Sequence, residues 1–197
     1  MPDQLIINKI KPDIFLSLKN EWNDLVSHSQ NPSFFISWEW AYTFFQTYVH
    51  DKNGLYTYAI YYQKKLIAII PLYKKTMQWY CIPFKVLSLL GDQVAGDFLD
   101  FVIHKDYHSL ITTSMDLIYN SLNKDKKLTF DFSGIRKDSF CYIHFITYLL
   151  EKKYQKTLLF SLPCPLAKLP NSFQDFFSSL GRSTRQIINR KTRQLNK

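Results

Sequence analysis

Apolar and polar positions change period several times along the chain, and each change marks an element. Residues 55–75, LYTYAIYYQKKLIAIIPLYKK, hold two β-branched and aromatic runs flanking Gln63-Lys64-Lys65, unbroken until Pro71. That pattern predicts an antiparallel hairpin forming the central ladder. In its first strand Tyr56, Tyr58, Ile60 and Tyr62 alternate with Leu55, Thr57, Ala59 and Tyr61, so both faces carry apolar bulk. Such a strand belongs inside a sheet covered by helices.

Upstream, Pro12-Asp13 opens a helical pattern with Ile14, Leu18, Trp22 and Leu25 on one side, ended by Asn31-Pro32. Ser37 is placed to cap a second helix carrying Trp38, Ala41, Phe44, Phe45 and Tyr48, and Asp51-Lys52-Asn53-Gly54 is a turn. Trp40 lies off that apolar stripe and is the tryptophan expected to be more exposed. Downstream, strands are predicted over 86–90, 99–103, 128–132 and 157–162, with helices over 107–122 and 139–152. The loop DQVAGDF separates the first two of these strands. The order is that of an α+β fold, a mixed and largely antiparallel sheet with helices packed on it.

Pro163, Pro165 and Pro170 interrupt the pattern and suggest a boundary between a lobe at 1–165 and a linker with a terminal helix at 166–197. Ser172 can cap a short helix that stops at Gly181, and Ser183-Thr184-Arg185-Gln186 fits a capping box for the last one. On that helix Arg185, Arg190, Arg193 and Lys197 share one side, with Thr184, Ile188 and Leu195 opposite.

Composition adds three points. With 46% hydrophobic and 17% aromatic residues, the chain of 197 residues can bury a sizeable core. The net charge of +9 is uneven: Arg182 to Lys197 holds six basic residues and no acidic one, so residues 1–181 carry only +3. Cys81, Cys141 and Cys164 are widely spaced, there is no secretory pattern at MPDQLIINK, and no apolar run reaches bilayer length. A cytoplasmic setting with reduced, mostly buried thiols is the expectation.

The segments FFISWEWAYTFF, YAIYYQKKLIAIIPLYKK, VLSLLGDQVAGDFLDFVI and LPNSFQDFFSSLGRSTRQIINRKTRQL, in this order, resemble the N-terminal half of the bacterial cellulose-biosynthesis acetyltransferase family (CelD-like), which is similar to GNAT and FemAB-type transferases. The carriers are a Phe-x-x-x-x-Trp helix start, a hairpin ending in Pro-Leu, an LG-x-n-D-x-x-D stretch and an Arg-rich helix. The resemblance implies two GNAT-like lobes. The second, beginning after the Arg-rich helix, would hold acetyl-CoA or another acyl-CoA, and the acceptor would be a small molecule or glycan. On that resemblance this chain alone would hold no donor and be inactive, a truncated or split member whose second lobe is absent or encoded separately.

Candidate chemistry in this half is sparse. A GNAT-type donor loop, Arg/Gln-x-x-Gly-x-Gly/Ala, offers backbone amides to a pyrophosphate; the nearest match is Gln93-Val94-Ala95-Gly96-Asp97-Phe98, with Gln93 and Gly96 as donor-binding candidates. It departs from the pattern at its last position, and Asp97 would repel phosphate. Asp97 and Asp100 are the candidate base or amine-binding carboxylates, against the alternative that Asp97 caps a turn and Asp100 faces solvent from a strand. His104 and His108 are four apart but have no third ligand at a suitable spacing, so no metal site is expected. Arg185, Arg190 and Arg193 could meet phosphate oxygens, nucleic acid or an anionic membrane surface, or could simply be solvated.

Overall fold

A computed structural model describes residues 5–92, 94, 96–123, 129–157, 163 and 170–195. The elements run β1 (Ile6–Lys9), α1 (Pro12–Phe15), α2 (Lys19–Ser27), α3 (Trp38–Tyr48), β2 (Tyr58–Tyr62), β3 (Lys65–Ile70), β4 (Leu72–Trp79), β5 (Ile82–Leu89), β6 (Val102–Ile103), α4 (His108–Thr113), α5 (Met115–Leu122), β7 (Thr129–Phe130), α6 (Thr147–Glu151), α7 (Phe173–Ser179) and α8 (Arg182–Leu195). A π-helical stretch, Cys141–Ile146, leads directly into α6. The chain divides into two compact units, Met1–Gln155 and Lys156–Lys197.

In the first unit the hairpin forms as its pattern requires, with Gln63 and Lys64 both at positive φ in the turn. β2 and β3 are the inner strands of an antiparallel sheet ordered β1-β2-β3-β6. Opposite Ile60 and Tyr61 the register slips, pairing them with Ala68 and Leu66, so Ile67 is the extra residue of a bulge. The slip explains why Ile67 and Ala68 join the same apolar cluster instead of alternating. On one face of the sheet α2 and α3 bury Trp22, Leu25, Trp38, Ala41 and Phe45 against Ala59, Ile69 and Val102. On the other, Ile111, Ile118, Leu122 and Phe145 cover Tyr58, Ile60 and Ile70. Truncating a fully buried ring such as Trp22 would cost about 3–5 kcal/mol.

The pattern at 55–75 does not end in a single hairpin, because Pro71 lies between Ile70 of β3 and Leu72 of β4 and the two belong to different sheets. Proline has no N–H to continue a ladder, and its carbonyl instead accepts from Leu90 N at 2.8 Å. β4 then pairs with β5 in register from Leu72↔Leu89 to Trp79↔Ile82, and β5 takes β7 as a parallel neighbour. The expected strand at 86–90 is thus the end of a longer one. β1 had no alternating run long enough to predict it. At 99–103 only Val102–Ile103 is strand, and the helix expected at 107–122 is two, broken at Ser114. Residues 158–162 of the strand expected at 157–162, and Cys164, lie outside the described residues. Cys81 is exposed, contrary to expectation, whereas Cys141 is buried.

In the second unit Ser172 caps α7, its Oγ accepting from Asp175 N at 3.1 Å. The capping box at Ser183 does not form: α8 begins one residue earlier, and the Gly181 carbonyl accepts from Arg185 N.

Buried tyrosines tie the sheet to the helix above it. Tyr56 and Tyr58 donate their hydroxyls to Leu122 O at 2.6 Å and Ser121 O at 3.1 Å, using two carbonyls that the end of α5 leaves open. Tyr56→Phe keeps the ring and deletes one donor; stability should fall by about 1–2 kcal/mol, read as a lower urea midpoint at unchanged m-value.

Candidate functional site

The first unit contains a cavity of about 300 Å³ bordered by Gln30, Asn31, Pro32 and Ser33 after α2, by Phe98, Leu99 and Asp100, and by Arg136 and Ser139. Three chain segments distant in sequence meet there. The loop before α3 is set by Ser33, whose Oγ accepts from Phe35 N at 3.2 Å. The segment 96–100 is set by close backbone packing: a Cβ on Gly134 would overlap Gly96 O, and a Cβ on Gly96 would overlap Gly91 O. Gly134 also has φ +66, so its side chain is excluded twice over. Leu99 N donates to Gly134 O at 2.9 Å and completes the contact.

The third segment starts a helix whose first amides are all used. Asp100 Oδ2 accepts from Phe140 N, and Oδ1 from Cys141 N and from Phe101 N, each at 2.8 Å. Ser139 Oγ accepts from Tyr142 N, and Ile143 N begins the helical ladder by donating to Ser139 O. Asp100 therefore does not face solvent from a strand; it is a helix cap supplied from forty residues away. Burial pushes its carboxyl up to about 6, against the three amide donors that favour the ionised form. Of about four acceptor positions on a carboxylate, three are taken.

Arg136 supplies the cation. Its Nε donates to Asp138 Oδ1 at 2.7 Å, a second bond joins its Nη2 to Asp138 Oδ2, and its guanidinium lies 5.4 Å from the Phe98 ring centre. Phe98 itself adopts φ +58, a conformation that costs a non-glycine residue about 1–2 kcal/mol. Sequence reading missed Arg136, Ser33 and Ser139, because no motif joins positions so far apart.

Each sequence candidate has a defined place. Asp97 is exposed and does not border the cavity; Asp100 does. Gly96 serves the backbone stack, and Gln93 lies outside the described residues. His104 and His108 part company: His104 stacks on His28 with ring centres 5.3 Å apart, while His108 lies edge-on to Phe140. Burial and the Lys65 ammonium, 3.2 Å from Nε2, push the His104 pKa down. Among the described residues no group of three or more His, Cys, Asp or Glu side chains converges as a metal site would. In the second unit Arg190 and Arg193 are exposed, and Arg185 Nη1 donates to Ser178 O at 3.4 Å.

Nearer the sheets, Asp92 pins the start of the same loop. Its Oδ1 accepts from Tyr73 OH at 2.7 Å and its Oδ2 from Lys75 Nζ at 3.0 Å, while Lys75 also meets Asp131 at 3.0 Å. Burial raises the Asp92 carboxyl, and burial with the neighbouring Asp92 raises the Tyr73 phenol. With its donors and acceptors paired, this network is a structural clamp.

No protein-family model matches the sequence, and no curated protein matches it. Among solved structures, the chain is similar to a conserved protein of unknown function from Enterococcus faecalis V583, described as "Probable N-Acyltransferase". Identity is 8%, coverage 59% of this chain and 26% of that one, and the TM-score 0.32. It is also similar to an aminoglycoside acetyltransferase from an uncultured soil metagenomic sample, solved with trehalose. There identity is 11%, coverage 84% and 97%, and the TM-score 0.35. The chain spans about a quarter of the first of these. The α+β fold class stands on the chain's own sheets and helices.

The Asp100 carboxyl makes a pH prediction. Its folded pKa of about 6 lies above the unfolded value of about 4, so the fold binds this proton more tightly than the unfolded chain does. The stability it contributes is fully present below pH 4 and is lost as pH rises through 6. The wild type should therefore lose up to about 3 kcal/mol relative to Asp100→Asn between pH 4 and 7. Urea midpoints of both proteins across that range check it. Separately, Gly134→Ala should destabilise by about 1–3 kcal/mol, measured in the same way.

Proposed function

We propose that the first unit is the acceptor-binding lobe of a GNAT-like acyltransferase and that the acyl donor, acetyl-CoA or another acyl-CoA, is held by a second lobe. The acceptor on this reading is an amine or hydroxyl of a small polyhydroxylated molecule, of the kind handled in cell-envelope or exopolysaccharide chemistry. The observation that carries it is the cavity wall. Ser33, Ser139, Gln30, Asn31 and Arg136, which carry hydroxyl, amide and guanidinium groups, line a space at the small end of ligand-site volumes. The unused acceptor position of Asp100 suits a hydroxyl or ammonium hydrogen.

The same wall does not fit a donor's pyrophosphate. A helix start holds phosphate through open amides, and here Asp100 and Ser139 take them. No step through the donor is therefore assigned to these residues. The ordered resemblance of the four sequence segments is the second support.

A second reading has one observation in its favour: on α8 the exposed Arg190 and Arg193 belong to a helix without a single carboxylate. On that reading the chain is a basic module for nucleic acid or an anionic surface.

Chemical-shift mapping separates the two. Glucosamine should shift the backbone amides of Ser33 and Ser139, acetyl-CoA alone should shift none of the cavity amides, and Arg136→Ala should weaken the sugar about tenfold, the loss of one charged hydrogen bond. Tight, specific acetyl-CoA binding by this chain would overturn the assignment. Oligonucleotide binding that weakens steeply with salt and disappears in the Arg185→Ala, Arg190→Ala, Arg193→Ala protein would favour the basic module.

A further inference from the structure

The β4–β5 hairpin changes character halfway along. Near its base, Leu72, Tyr73, Val86, Leu87 and Leu89 are buried, Leu55 bridges to Tyr73, and β7 flanks Val86 and Leu87. Beyond Thr76↔Lys85 the two strands pair only with each other among the described strands. The outer stretch, MQWYCIPF at 77–84, has one amide and no charged residue, and three of its side chains stand clear of the body: Met77 is 40% exposed, Ile82 71% and Tyr80 90%, while Phe84 is half-buried.

Met77, Ile82 and Phe84 share a face by strand alternation and cross-strand register. This face continues that of Tyr73 and Val86, which is buried at the base. Lysines bracket the stretch, Lys74 and Lys75 on one strand and Lys85 on the other, and residues 72–91 contain no carboxylate. Lys75 is neutralised at the base by Asp92 and Asp131, and the Lys74 ammonium lies 4.8 Å from the Tyr56 ring centre. Lys85, next to the tip, is exposed, on a chain of net charge +9.

An apolar and aromatic tip with the exposed Lys85 one step behind it, on a chain of net charge +9, is complementary to the interface of an anionic bilayer. Apolar side chains and a tyrosine ring settle at headgroup depth, and a lysine beside them meets the phosphates. We propose that residues 77–84 form a hairpin tip that docks the protein on an anionic lipid surface. The contact is peripheral, since no helix among the described residues is long and apolar enough to cross a membrane.

Flotation of the full chain with phosphatidylcholine vesicles, with and without phosphatidylserine, tests it. The wild type should float with the anionic vesicles. Met77→Thr with Tyr80→Asn and Ile82→Thr should cut the partition coefficient about tenfold. Asparagine suits the left-handed backbone of Tyr80, and threonine keeps strand propensity, so an unchanged melting curve should accompany the loss. Lys85→Glu should weaken binding to anionic vesicles alone.

A second readout is an environment-sensitive fluorophore on exposed Cys81 in a Cys164→Ser background, whose emission should shift to the blue when vesicles are added. The proposal is overturned if the wild type does not float or if the fluorophore does not shift. It is also overturned if flotation survives the tip substitutions and vanishes on substituting Arg185, Arg190 and Arg193. Tip-dependent dimerisation in light scattering, without vesicle binding, would assign the face to a second copy instead.

Discussion

The Asp100 carboxylate at the start of the helix that follows Ser139 is the constraint on which the rest of the first unit's functional geometry depends. A helix start carries unpaired N–H groups and a partial positive charge, so an ionised carboxylate there is favoured, while removing it from water is costly. A pKa of about 6 is the balance of those opposing effects, and it leaves the group mostly ionised at neutral pH. The helix end is thereby neutralised from within the protein, and Arg136 is matched by Asp138. What remains around the cavity is a set of hydroxyl and amide side chains and one spare carboxylate lone pair, with the first amides of the helix already taken.

Several of the core tryptophans and tyrosines serve a related purpose. Trp22 and Trp38 fill the core under α2 and α3, and each also sends an indole N–H to a distant carbonyl, Ile36 O and Phe15 O, both at 2.9 Å. Tyr56 and Tyr58 do the same for the end of α5. A large ring with one polar atom at its rim satisfies a buried carbonyl and fills volume with the same side chain. Short helices joined by tight loops leave many carbonyls open, and in this chain aromatic donors close several of them.

Much of the architecture was legible because it follows from short-range periodicity. The β2–β3 hairpin, the caps at Ser37 and Ser172 and the apolar stripes of α2, α3 and α5 each depend on residues within one element. What was not legible depends on partners remote in sequence. β1 has too few residues to show a period, and its identity comes from pairing with β2. Asp100 looked like a strand residue facing water because its partners lie some forty positions later. Arg136 comes beside Phe98 and Leu99 where Gly96 and Gly134 let two loops pack backbone to backbone, and Ser33 reaches the same cavity from a third segment. Asp97, flagged together with Asp100, differs only in which way the loop turns, a matter decided at Phe98 by a positive φ.

Pro71 shows how one residue can decide where apolar surface ends up. Without an N–H it cannot serve both ladders, so the chain turns a corner and the second hairpin leaves the sheet that α2, α3 and α5 cover. Its inner half is still buried, but its outer half is a two-stranded ribbon, marginal in water by itself. Holding Tyr80 in the left-handed region adds a further cost of about 1 kcal/mol. A glycine at position 80 would remove that backbone cost. Tyr80 at 90% and Ile82 at 71% exposure bury little apolar area among the described residues, so their apolar character adds little to the stability of the fold.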